Sequence, residues 1–561
     1  LPLALQPDQS GIEFSAPRIN SVTSNVIAAP FTPNNCFSIE GARGYTLTRY
    51  DGVSADLTYP GFGTVTFAEG SPFIWYSATR AQTVSLRGGL NASRSRGSII
   101  SDTNGDTKVV AATTGQHDFS QASIQLSPGD RLVLAVLPAS TPDSLVQSAA
   151  QHPIENVSTS HQVKNGVEQT AITYHIAGGG TTVLGALPYR TVDMHGKKIG
   201  QLDGLFGSMV LKQTNSIIMT APEIVPSDTL PVEKLTGTQK RQLVQTLTAD
   251  VPRIKLDATT SYAAGKQLYS AANLLMLAHQ LDDQKAADVI STKLTPALEH
   301  WLRDGFYYDP AIHGVAPKID NFGSSDFNDH HFHYGYFIYA ADIVAQFDQS
   351  FTEHYRSYVD LLAADIASPM ATHNFPAYRV FDAYAGHSWA AGLAPFSDGN
   401  DEESSSEAIN AWNAVALWGQ TTHDASLADT GRWLLANETQ TAARIWLRKP
   451  TNTGYTAPLT DIVWGGKRVY QTWFSDNPVD KLAIQLIPMN PVEQKTLSKN
   501  QQIKQILNAS ISGDDYNQPL GDYALMYLAL IDPTKASSLE SSQTSIDSAD
   551  SRTYLQAWIM T

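Results

Sequence analysis

Hydrophobic and polar positions divide the chain into two halves of different texture. From the N-terminus to about Glu223, short runs rich in β-branched and aromatic residues alternate with Gly, Pro, Asn and Asp. Residues 44–50, 63–67, 131–137 and 169–176 are such runs, and they predict short strands joined by tight turns. Many strands of this kind, with no helical period between them, are typical of an antiparallel sandwich or barrel.

After Pro231 the apolar positions recur with the helical period of about 3.6 residues. Helix follows helix without a strand pattern between them, which indicates an α-solenoid or a toroid of helical hairpins. The predicted helices cover residues 238–249, 262–281, 286–302, 332–347, 352–366, 405–419, 427–446 and 522–531. Long connections at residues 368–400 and 449–491 are where such a scaffold is expected to carry function.

Composition narrows the possible partners. A chain of 561 residues exceeds one ordinary core, so two or three domains are expected. The formal charge of -16 argues against nucleic acid and anionic membrane surfaces, because both bind patches of Lys and Arg. No run approaches ~18 apolar residues, so no transmembrane helix is predicted. The single cysteine, Cys36, excludes an intrachain disulfide and a Cys-rich zinc site.

The N-terminal residues bear on processing. The chain begins at Leu1 rather than at Met, and its first residues are too short and too uncharged for a signal segment. A processed or trimmed form is therefore expected.

The densest cluster of reactive groups lies at residues 326–336, where two carboxylates, three histidines and four aromatic rings open an apolar helix. Burying such groups costs free energy unless they are paired or used. If the helix begins near Ser325 or Asp326, Asp329 and His333 lie one turn apart on one face, as suits a proton donor beside a histidine. The alternative, stronger for Asp326 than for Asp329, is an N-cap that accepts backbone N–H groups.

The three histidines also raise a metal hypothesis. His330 and His331 are adjacent, so on a helix they point about 100° apart and cannot both join His333 on one face. Hydrogen-bonded histidines are favoured over metal ligands, and neither a metal nor another cofactor is predicted.

A second acidic cluster lies at residues 396–408. Ser404 and Glu407 fit a capping box, in which the glutamate bonds the backbone N–H of the N-cap residue. Glu403 would then lie on the preceding loop, free to face a cleft. Both glutamates would stand near a helix N-terminus, whose dipole favours the ionised form that a general base needs.

A third stretch, residues 381–392, places Tyr384, His387 and Trp389 between small residues. It is interpreted either as a sugar-binding platform or as a tightly packed loop, and Trp464 and Trp473 are weaker candidates of the same kind. Two carboxyl groups from different elements across an aromatic cleft suggest glycoside hydrolysis, with one acting as acid and the other as base or nucleophile.

Three motifs in order resemble glycoside hydrolase family 81, the endo-β-1,3-glucanases. They are NDHHFHYGY at residues 328–336, GHSWA at 386–390 and ESSSEA at 403–408. Residues 262–266 and 484–491 add weaker support. The resemblance implies a multidomain chain with an N-terminal antiparallel β-sandwich, a small α/β connecting region and a C-terminal all-α (α/α)6 barrel. The corresponding boundaries are expected at residues 1–190, 191–255 and 256–561.

The resemblance also implies roles for individual residues in an inverting, metal-independent cleavage of internal β-1,3-glucosidic bonds. Asp329 would be the general acid, with His333 tuning or orienting it. Glu403 and Glu407 would be the base candidates, and Glu403 is preferred because the capping box gives Glu407 another task. Glu402, where the family often has Gln, is expected to raise a neighbour's pKa through its charge. The expected substrate contacts are His330, His331, Tyr334, Tyr336, Tyr384, His387, Trp389, Trp412, Trp464 and Trp473.

The expected partner is a β-1,3-glucan polysaccharide, bound by an extracellular monomer that takes neither nucleic acid nor membrane. Two alternatives stay open. A non-catalytic β-glucan-binding protein would keep the aromatic groove without needing the carboxylates. A metal-dependent hydrolase would use the histidine cluster.

Overall fold

The computed structural model describes residues 1–88, 90, 94–96, 99–115, 118–120 and 122–561. Backbone contacts divide the chain into two compact units. A β-sheet unit comprises residues 1–22, 27–221 and 382–385. A helical unit comprises residues 23–26, 222–381 and 386–561. The three-domain boundaries expected from the sequence stay a prediction.

The strands of the N-terminal half match the predicted texture. They are β1 (Ala4–Pro7), β2 (Gly11–Ser15), β3 (Ser21–Val22), β4 (Val26–Ala28), β5 (Asn35–Ile39), β6 (Thr46–Tyr50), β7 (Ser54–Tyr59), β8 (Gly63–Ala68), β9 (Phe73–Ala78), β10 (Gln82–Gly88), β11 (Arg94–Arg96), β12 (Ile99–Asn104), β13 (Thr107–Thr113), β14 (Ser123–Leu126), β15 (Arg131–Pro138), β16 (Ile154–Lys164), β17 (Val167–Ile176), β18 (Thr182–Gly185), β19 (Thr191–Asp193), β20 (Lys197–Gly204), β21 (Gly207–Thr214) and β22 (Ser216–Pro222).

Within the described part of the β-sheet unit these strands form sheets of five, eight, four and three strands. Their orders are β1-β2-β5-β10-β14, β11-β12-β13-β15-β9-β8-β7-β6, β16-β17-β22-β19 and β18-β21-β20. Neighbouring strands such as β13 and β15 run antiparallel, with Val109 of β13 opposite Val136 of β15. The antiparallel β architecture predicted for this half is therefore confirmed.

The eight-stranded sheet is packed on both faces, which explains the unbroken apolar run of β15. Along this strand Leu132 and Leu134 enter one hydrophobic core, while Val133 and Ala135 enter another. Successive side chains of a strand point to opposite faces, so a strand buried on both faces reads as continuously hydrophobic rather than alternating.

One helix contradicts the prediction that no helix interrupts the strands. It is α1 (Asp143–Gln151), which buries Val146, Ala149 and Ala150. The indole of Trp75 donates to the Ala149 carbonyl oxygen at 2.8 Å. A helix of nine residues depends on such tertiary contacts for stability, and its sequence signal is correspondingly weak.

The helical unit contains each helix that the sequence predicted, with bounds shifted by a few residues, and several shorter ones. Its helices are α2 (Gly237–Asp250), α3 (Ser261–Gln280), α4 (Gln284–Asp304), α5 (His330–Phe347), α6 (Gln349–Ala367), α7 (Ser405–Thr421), α8 (Ala425–Ile445), α9 (Pro478–Ala483), α10 (Pro491–Leu497), α11 (Ile503–Ser510), α12 (Gly521–Ala529), α13 (Pro533–Glu540) and α14 (Arg552–Met560). Short 3₁₀ turns lie at Val232–Lys234, Val251–Arg253 and Ser324–Asp326.

Short strands between the helices correct the prediction of an uninterrupted helical half. They are β23 (Phe306–Asp309), β24 (Gly314–Pro317), β25 (Phe381–Asp382), β26 (His387–Ser388), β27 (Asp401–Glu402), β28 (Ile462–Trp464) and β29 (Lys467–Val469). Runs of two to four residues are too short to show a strand period in sequence.

Helices α5 and α7 lie in the interior of this unit and pack closely together. Every residue of α5 from His330 to Ala345 is buried, as its all-round apolar pattern predicted. At the contact, a Cβ on Gly335 would come within 2.8 Å of Ala411 of α7, so only glycine allows this approach.

The chain is multidomain, with N-terminal antiparallel sheets and a C-terminal helical unit, as predicted. Closure of the helices into an (α/α)6 barrel stays a prediction. In the part of the chain that the structure describes, no helix combines the length and apolarity that crossing a membrane requires.

Candidate active site

A cavity of about 540 Å³ opens in the helical unit beside the starts of α5 and α7. Four carboxyl groups line it, contributed by Asp329, Asp401, Glu403 and Glu407. Its aromatic lining residues are Tyr262, Phe322, Phe332, Phe396, Trp473 and Phe474. Polar groups converging in a largely apolar cavity are the usual form of a small-molecule or carbohydrate site.

Asp329 immediately precedes α5 with its backbone in the left-handed region, at φ 60°. Its N–H donates to the Ala390 carbonyl oxygen at 2.9 Å, and its own carbonyl oxygen accepts the N–H of His333 at 3.0 Å. The side chain makes no capping hydrogen bond. Aspartate tolerates this backbone better than most residues, and the carboxyl group is left in the cavity wall instead of on the helix amides.

The predicted helix start near Ser325 or Asp326 is wrong, and so is the predicted N-cap at Asp326. Residues Ser324–Asp326 form a separate 3₁₀ turn, and α5 begins only at His330. Left-handed backbone at Phe327 and Asp329 interrupts the helical path between the turn and the helix. Asp326 is exposed and does not line the cavity.

The surroundings of Asp329 favour its neutral form. Burial raises the pKa of its carboxyl group well above the ordinary value, and the negative charges of Asp401, Glu407 and Glu403 add to the rise. Among the described residues, none donates a hydrogen bond to this carboxyl group that would oppose the shift. A carboxylic acid that stays protonated near neutral pH can donate a proton to a leaving group.

His330 and His331 are fully buried and engaged with protein groups. The ring nitrogens of His330 lie 2.7 Å from the Asp365 carboxyl group and 2.8 Å from the Ser324 carbonyl oxygen. His331 lies 3.3 Å from Glu402. Among the described residues, no three or more His, Cys, Asp or Glu side chains are arranged to hold a metal ion.

His333 differs because it lines the cavity. Its Nδ1 lies 2.8 Å from the Ser261 hydroxyl, and its Nε2 has no hydrogen-bond partner within the described chain. Burial and the neighbouring His330 lower the pKa of His333 to about 3, so the imidazole is neutral. The backbone N–H of His333 donates to the Asp329 carbonyl oxygen. The Nε2 of the imidazole ring is available to a ligand in the cavity.

The capping box predicted for α7 is wrong. Ser404 occupies the N-cap position but makes no side-chain capping hydrogen bond, because its hydroxyl donates to the Ile484 carbonyl oxygen at 3.0 Å. Glu407 instead accepts the Tyr336 hydroxyl at 2.7 Å and lies in the cavity wall. Glu407 therefore has no capping task, and the reason for preferring Glu403 as the base is removed.

Glu407 is a buried carboxyl group that accepts a hydrogen bond and lies near a positive charge. Burial raises its pKa, but the hydrogen bond from Tyr336 and the positive charge of Lys266 oppose that rise. Donors and a nearby cation stabilise the ionised form of a carboxyl group.

Glu403 and Asp401 are both held by one residue. The backbone N–H of Trp473 donates to Glu403 at 3.0 Å, and its indole N–H donates to Asp401 at 3.3 Å. Burial nevertheless raises the pKa of Glu403 to about 7 and that of Asp401 to about 6. Near neutral pH, Glu403 is therefore only partly ionised, which makes it a weaker base candidate than Glu407.

Glu402 does not act as a neighbouring charge in the way the sequence suggested. It is fully buried on the short strand β27, beside His331. Burial, followed by the charge of Glu438, raises the pKa of Glu402 well above its ordinary value. A protonated Glu402 carries no charge, so its expected effect on other groups is corrected.

Most of the predicted substrate contacts are core residues. The side chains with no surface to offer a sugar are His330, His331, Tyr334, Tyr336, Tyr384, His387 and Trp412. Several make internal hydrogen bonds instead, as Tyr334 does to Val315 and Trp412 to Glu438. These assignments are corrected to packing and hydrogen-bonding roles, because a sequence pattern does not distinguish an aromatic ring in a core from one in a cleft.

Trp389 and Trp473 keep exposed surface, whereas Trp464 is buried. Trp473 lines the cavity and is 59% exposed. Trp464 lies with its ring centroid 5.5 Å from that of Trp473, and Trp389 is half-buried against His387.

An aromatic groove of about 400 Å³ adjoins the cavity and shares Phe396 and Trp473 with it. Trp464 completes the trio, its ring centroid 5.0 Å from that of Phe396. Lys467 lies over the Trp464 ring and pairs with Asp398 at 2.7 Å. The exposed rings of Phe396 and Trp473, supported by the buried Trp464, suit the apolar faces of sugars.

Several cavity residues were missed by the sequence interpretation. Asp401 belongs to the acidic run that drew attention to its neighbours, so its signal was present. Phe322 and Phe396 are exposed aromatic residues on loops, and nothing in their local sequence separates them from packing residues. Tyr262 and Lys266 were visible only as part of a weak motif.

Carboxyl groups and aromatic rings around one cavity of a helical unit are the arrangement that glycoside hydrolases use. Residues 234–560 match the family model described as the glycosyl hydrolase family 81 C-terminal domain. This match covers more than half of the chain, and the chain belongs to glycosyl hydrolase family 81.

Named relatives agree with this family. A glucan endo-1,3-beta-D-glucosidase of Acetivibrio thermocellus is 33% identical over 56% of this chain and 42% of its own length. One of Glycine max is 25% identical over 93% of this chain and 84% of its own. The chain thus spans less than half of the bacterial relative. A solved family 81 glycoside hydrolase from Clostridium thermocellum has the same fold, with a TM-score of 0.88 at 23% identity over 100% of this chain and 83% of that one.

Proposed function

We propose that this protein is an endo-acting glycoside hydrolase that cleaves internal β-1,3-glucosidic bonds by an inverting acid/base mechanism. The observation that carries the proposal is that two different carboxyl groups line one cavity. The carboxyl group of Asp329 accepts no hydrogen bond from the described residues, whereas that of Glu407 accepts one from the hydroxyl of Tyr336. The family membership and the relatives named glucan endo-1,3-beta-D-glucosidase support the substrate class.

The proposed reaction uses these two groups in one displacement. Asp329 donates its proton to the glycosidic oxygen as the bond to the anomeric carbon breaks. Glu407 takes a proton from a water molecule, whose oxygen attacks the same carbon from the opposite face and inverts its configuration. The neutral His333, with its unpartnered Nε2, supplies a hydrogen-bonding position beside the reacting sugar.

Glu407 rather than Glu403 is the proposed base. Its orientation is held by the Tyr336 hydroxyl, and the nearby Lys266 favours its ionised form. Burial is the main reason that Asp329 stays protonated, and the charges of Asp401, Glu407 and Glu403 add to its raised pKa.

The aromatic groove supports cleavage within a chain rather than at its end. Phe396 and Trp473 keep exposed rings where the groove continues beyond the cavity, so a glucan chain can stack on them while a bond lies between the carboxyl groups. We further propose an extracellular monomer acting on cell-wall or storage glucan. A Schizosaccharomyces pombe relative, 30% identical over 41% of this chain, is named for the primary septum.

Digestion of laminarin and curdlan tests the proposal. Short β-1,3-gluco-oligosaccharides are expected from the earliest time points, and NMR of the first products is expected to show the α-anomer. Folded protein that binds laminarin without forming products would instead indicate a glucan-binding protein. Initial β-anomers would replace inversion with retention, and activity lost to a chelator and restored by zinc would indicate a metal-dependent hydrolase.

A further inference from the structure

The serines at the start of α7 do not cap the helix and instead hydrogen-bond to another segment of the chain. Ser404 donates its hydroxyl to the Ile484 carbonyl oxygen at 3.0 Å, and Ser406 donates to the Ile487 carbonyl oxygen at 2.6 Å. Neither hydroxyl is exposed to solvent. Serine at a helix start ordinarily bonds the helix amides. Here these hydroxyls fasten the helix start to a separate segment, residues 484–487.

Gln485 is the centre of this attachment. Its side chain is fully buried, and its Oε1 accepts the Ser405 hydroxyl at 2.9 Å. Its Nε2 donates to the carbonyl oxygen of Glu403 and, at 3.0 Å, to that of Asp461. One amide therefore joins Glu403, two residues before the helix, to Ser405, the first residue of the helix, and to Asp461 of a neighbouring loop.

The two glutamates of the cavity lie on either side of this attachment. Glu403 is the residue whose carbonyl oxygen Gln485 binds, and Glu407 follows in the first turn of α7. Their side chains are held by Trp473 and Tyr336, respectively. The backbone that carries both carboxyl groups is hydrogen-bonded to the segment at 484–487 through the three serine side chains at residues 404–406.

We propose that Gln485 is a positioning residue that fixes the backbone carrying Glu403 and Glu407 for catalysis. The inference rests on the proposed glucanase function. Gln485 is buried and does not line the cavity, so it acts through the glutamates and touches no substrate. Small displacements of catalytic groups lower kcat far more than substrate affinity, because reaction requires closer alignment than binding does.

The test replaces Gln485 with methionine, which keeps the length of the side chain and removes its hydrogen bonds. Gln485→Met is expected to lower kcat on laminarin by roughly 10- to 100-fold while leaving KM nearly unchanged. Ser405→Ala removes one of the three hydrogen bonds, so a smaller fall in kcat with the same unchanged KM is expected.

Gln82 in the β-sheet unit provides a matched control. It is also buried, accepts the Tyr76 hydroxyl at 2.8 Å, and donates to the carbonyl oxygens of Phe62 and Arg80 at 2.9 and 3.1 Å. Gln82→Met loses the same set of bonds. It is expected to lower the thermal unfolding midpoint as Gln485→Met does, with kcat unchanged in the folded protein.

The outcomes separate the two proposals. If the wild-type protein releases no oligosaccharides from laminarin, the proposed function fails. If the wild type is active and folded Gln485→Met keeps its kcat, or if both methionine variants lose kcat equally, the positioning role is overturned. Should Gln485→Met not fold, Ser405→Ala is compared with the wild type, and an unchanged kcat in that variant overturns the inference.

Discussion

The starts of helices α5 and α7 bring carboxyl groups to one cavity in opposite surroundings. Before α5, Asp329 has no hydrogen-bond donor among the described residues. At α7, Glu403 accepts the N–H of Trp473 and Glu407 accepts the hydroxyl of Tyr336. Burial raises the pKa of all three carboxyl groups, and hydrogen-bond donors oppose that rise at Glu403 and Glu407. The proposed acid and base need such a difference in surroundings.

Both helix starts also give up ordinary capping. Elsewhere in the helical unit, Asp283 caps α4, Asp348 caps α6 and Asp424 caps α8 through side-chain hydrogen bonds. Neither Asp329 nor Ser404 does so. An N-cap typically contributes about 1 kcal/mol, so these two helices forgo stability at the places where the chemistry is proposed.

The largest effect is expected from replacing the proposed acid, Asp329. Asp329→Asn is expected to lower kcat by about 10²- to 10⁴-fold, because an amide cannot protonate the leaving oxygen. Steady-state hydrolysis of laminarin measures the loss, and calorimetric titration with a β-1,3-gluco-oligosaccharide is expected to show unchanged affinity. Asp326→Asn, at the exposed end of the preceding turn, is the matched control and should retain wild-type kcat. Near-normal turnover by Asp329→Asn would refute the acid assignment.

The two glutamates at the start of α7 test which carboxyl group is the base. Glu407→Gln is expected to lose kcat by about 10²- to 10⁴-fold, because the group that activates water is gone. Glu403→Gln is expected to lose less, since its carboxyl group supplies charge to Asp329 without taking the proton. Parallel kcat measurements decide the order, and a larger loss in Glu403→Gln would make Glu403 the base.

Asp401 tests how the acid is kept protonated. After burial, its charge is the first cause of the raised pKa of Asp329. Asp401→Asn removes that charge, so the pKa of Asp329 falls and the alkaline limb of the kcat profile is expected to move to lower pH. Asp398→Asn, which breaks an ion pair with Lys467 outside the cavity lining, should leave the limb in place. An unmoved limb in Asp401→Asn would show that the charge of Asp401 does not raise the pKa of Asp329.

The smallest expected effect is on stability. Burial raises the pKa of Glu403 from 4.5 to about 7. When folding raises the pKa of a carboxyl group, the group favours the folded state at pH values below its pKa in the unfolded chain. For Glu403 this contribution is lost as the pH rises through the folded-state pKa of about 7. Glu403→Gln is therefore expected to be more stable than the wild type at pH ~8, by about 1–3 kcal/mol, with little difference near pH ~4.

Thermal or urea unfolding at the two pH values measures this difference. Glu155→Gln, a change at an exposed position of the β-sheet unit, serves as the control and should show no pH-dependent gain. A gain for Glu403→Gln that is equal at both pH values would contradict the linkage to its ionisation.

Local patterns in the sequence determined the two-part architecture, the helices that carry the site and its three principal carboxyl groups. The spacing of apolar residues along a helix is a local feature of the sequence, so α5 and α7 were predicted with ends close to those observed. Asp329, Glu403 and Glu407 stood out because carboxylates grouped beside buried helices are costly without a use.

The tertiary structure decided what each carboxyl group has around it. Tyr336 is 71 residues from Glu407, and Trp473 is 70 residues from Glu403. No local pattern reports such donors, and the capping box that the sequence suggested was displaced by bonds to residues 484–487. The sequence alone determines which groups are near a helix start. Their desolvation and hydrogen-bond donors come from distant residues, so the proposed choice of acid and base rests on the folded chain.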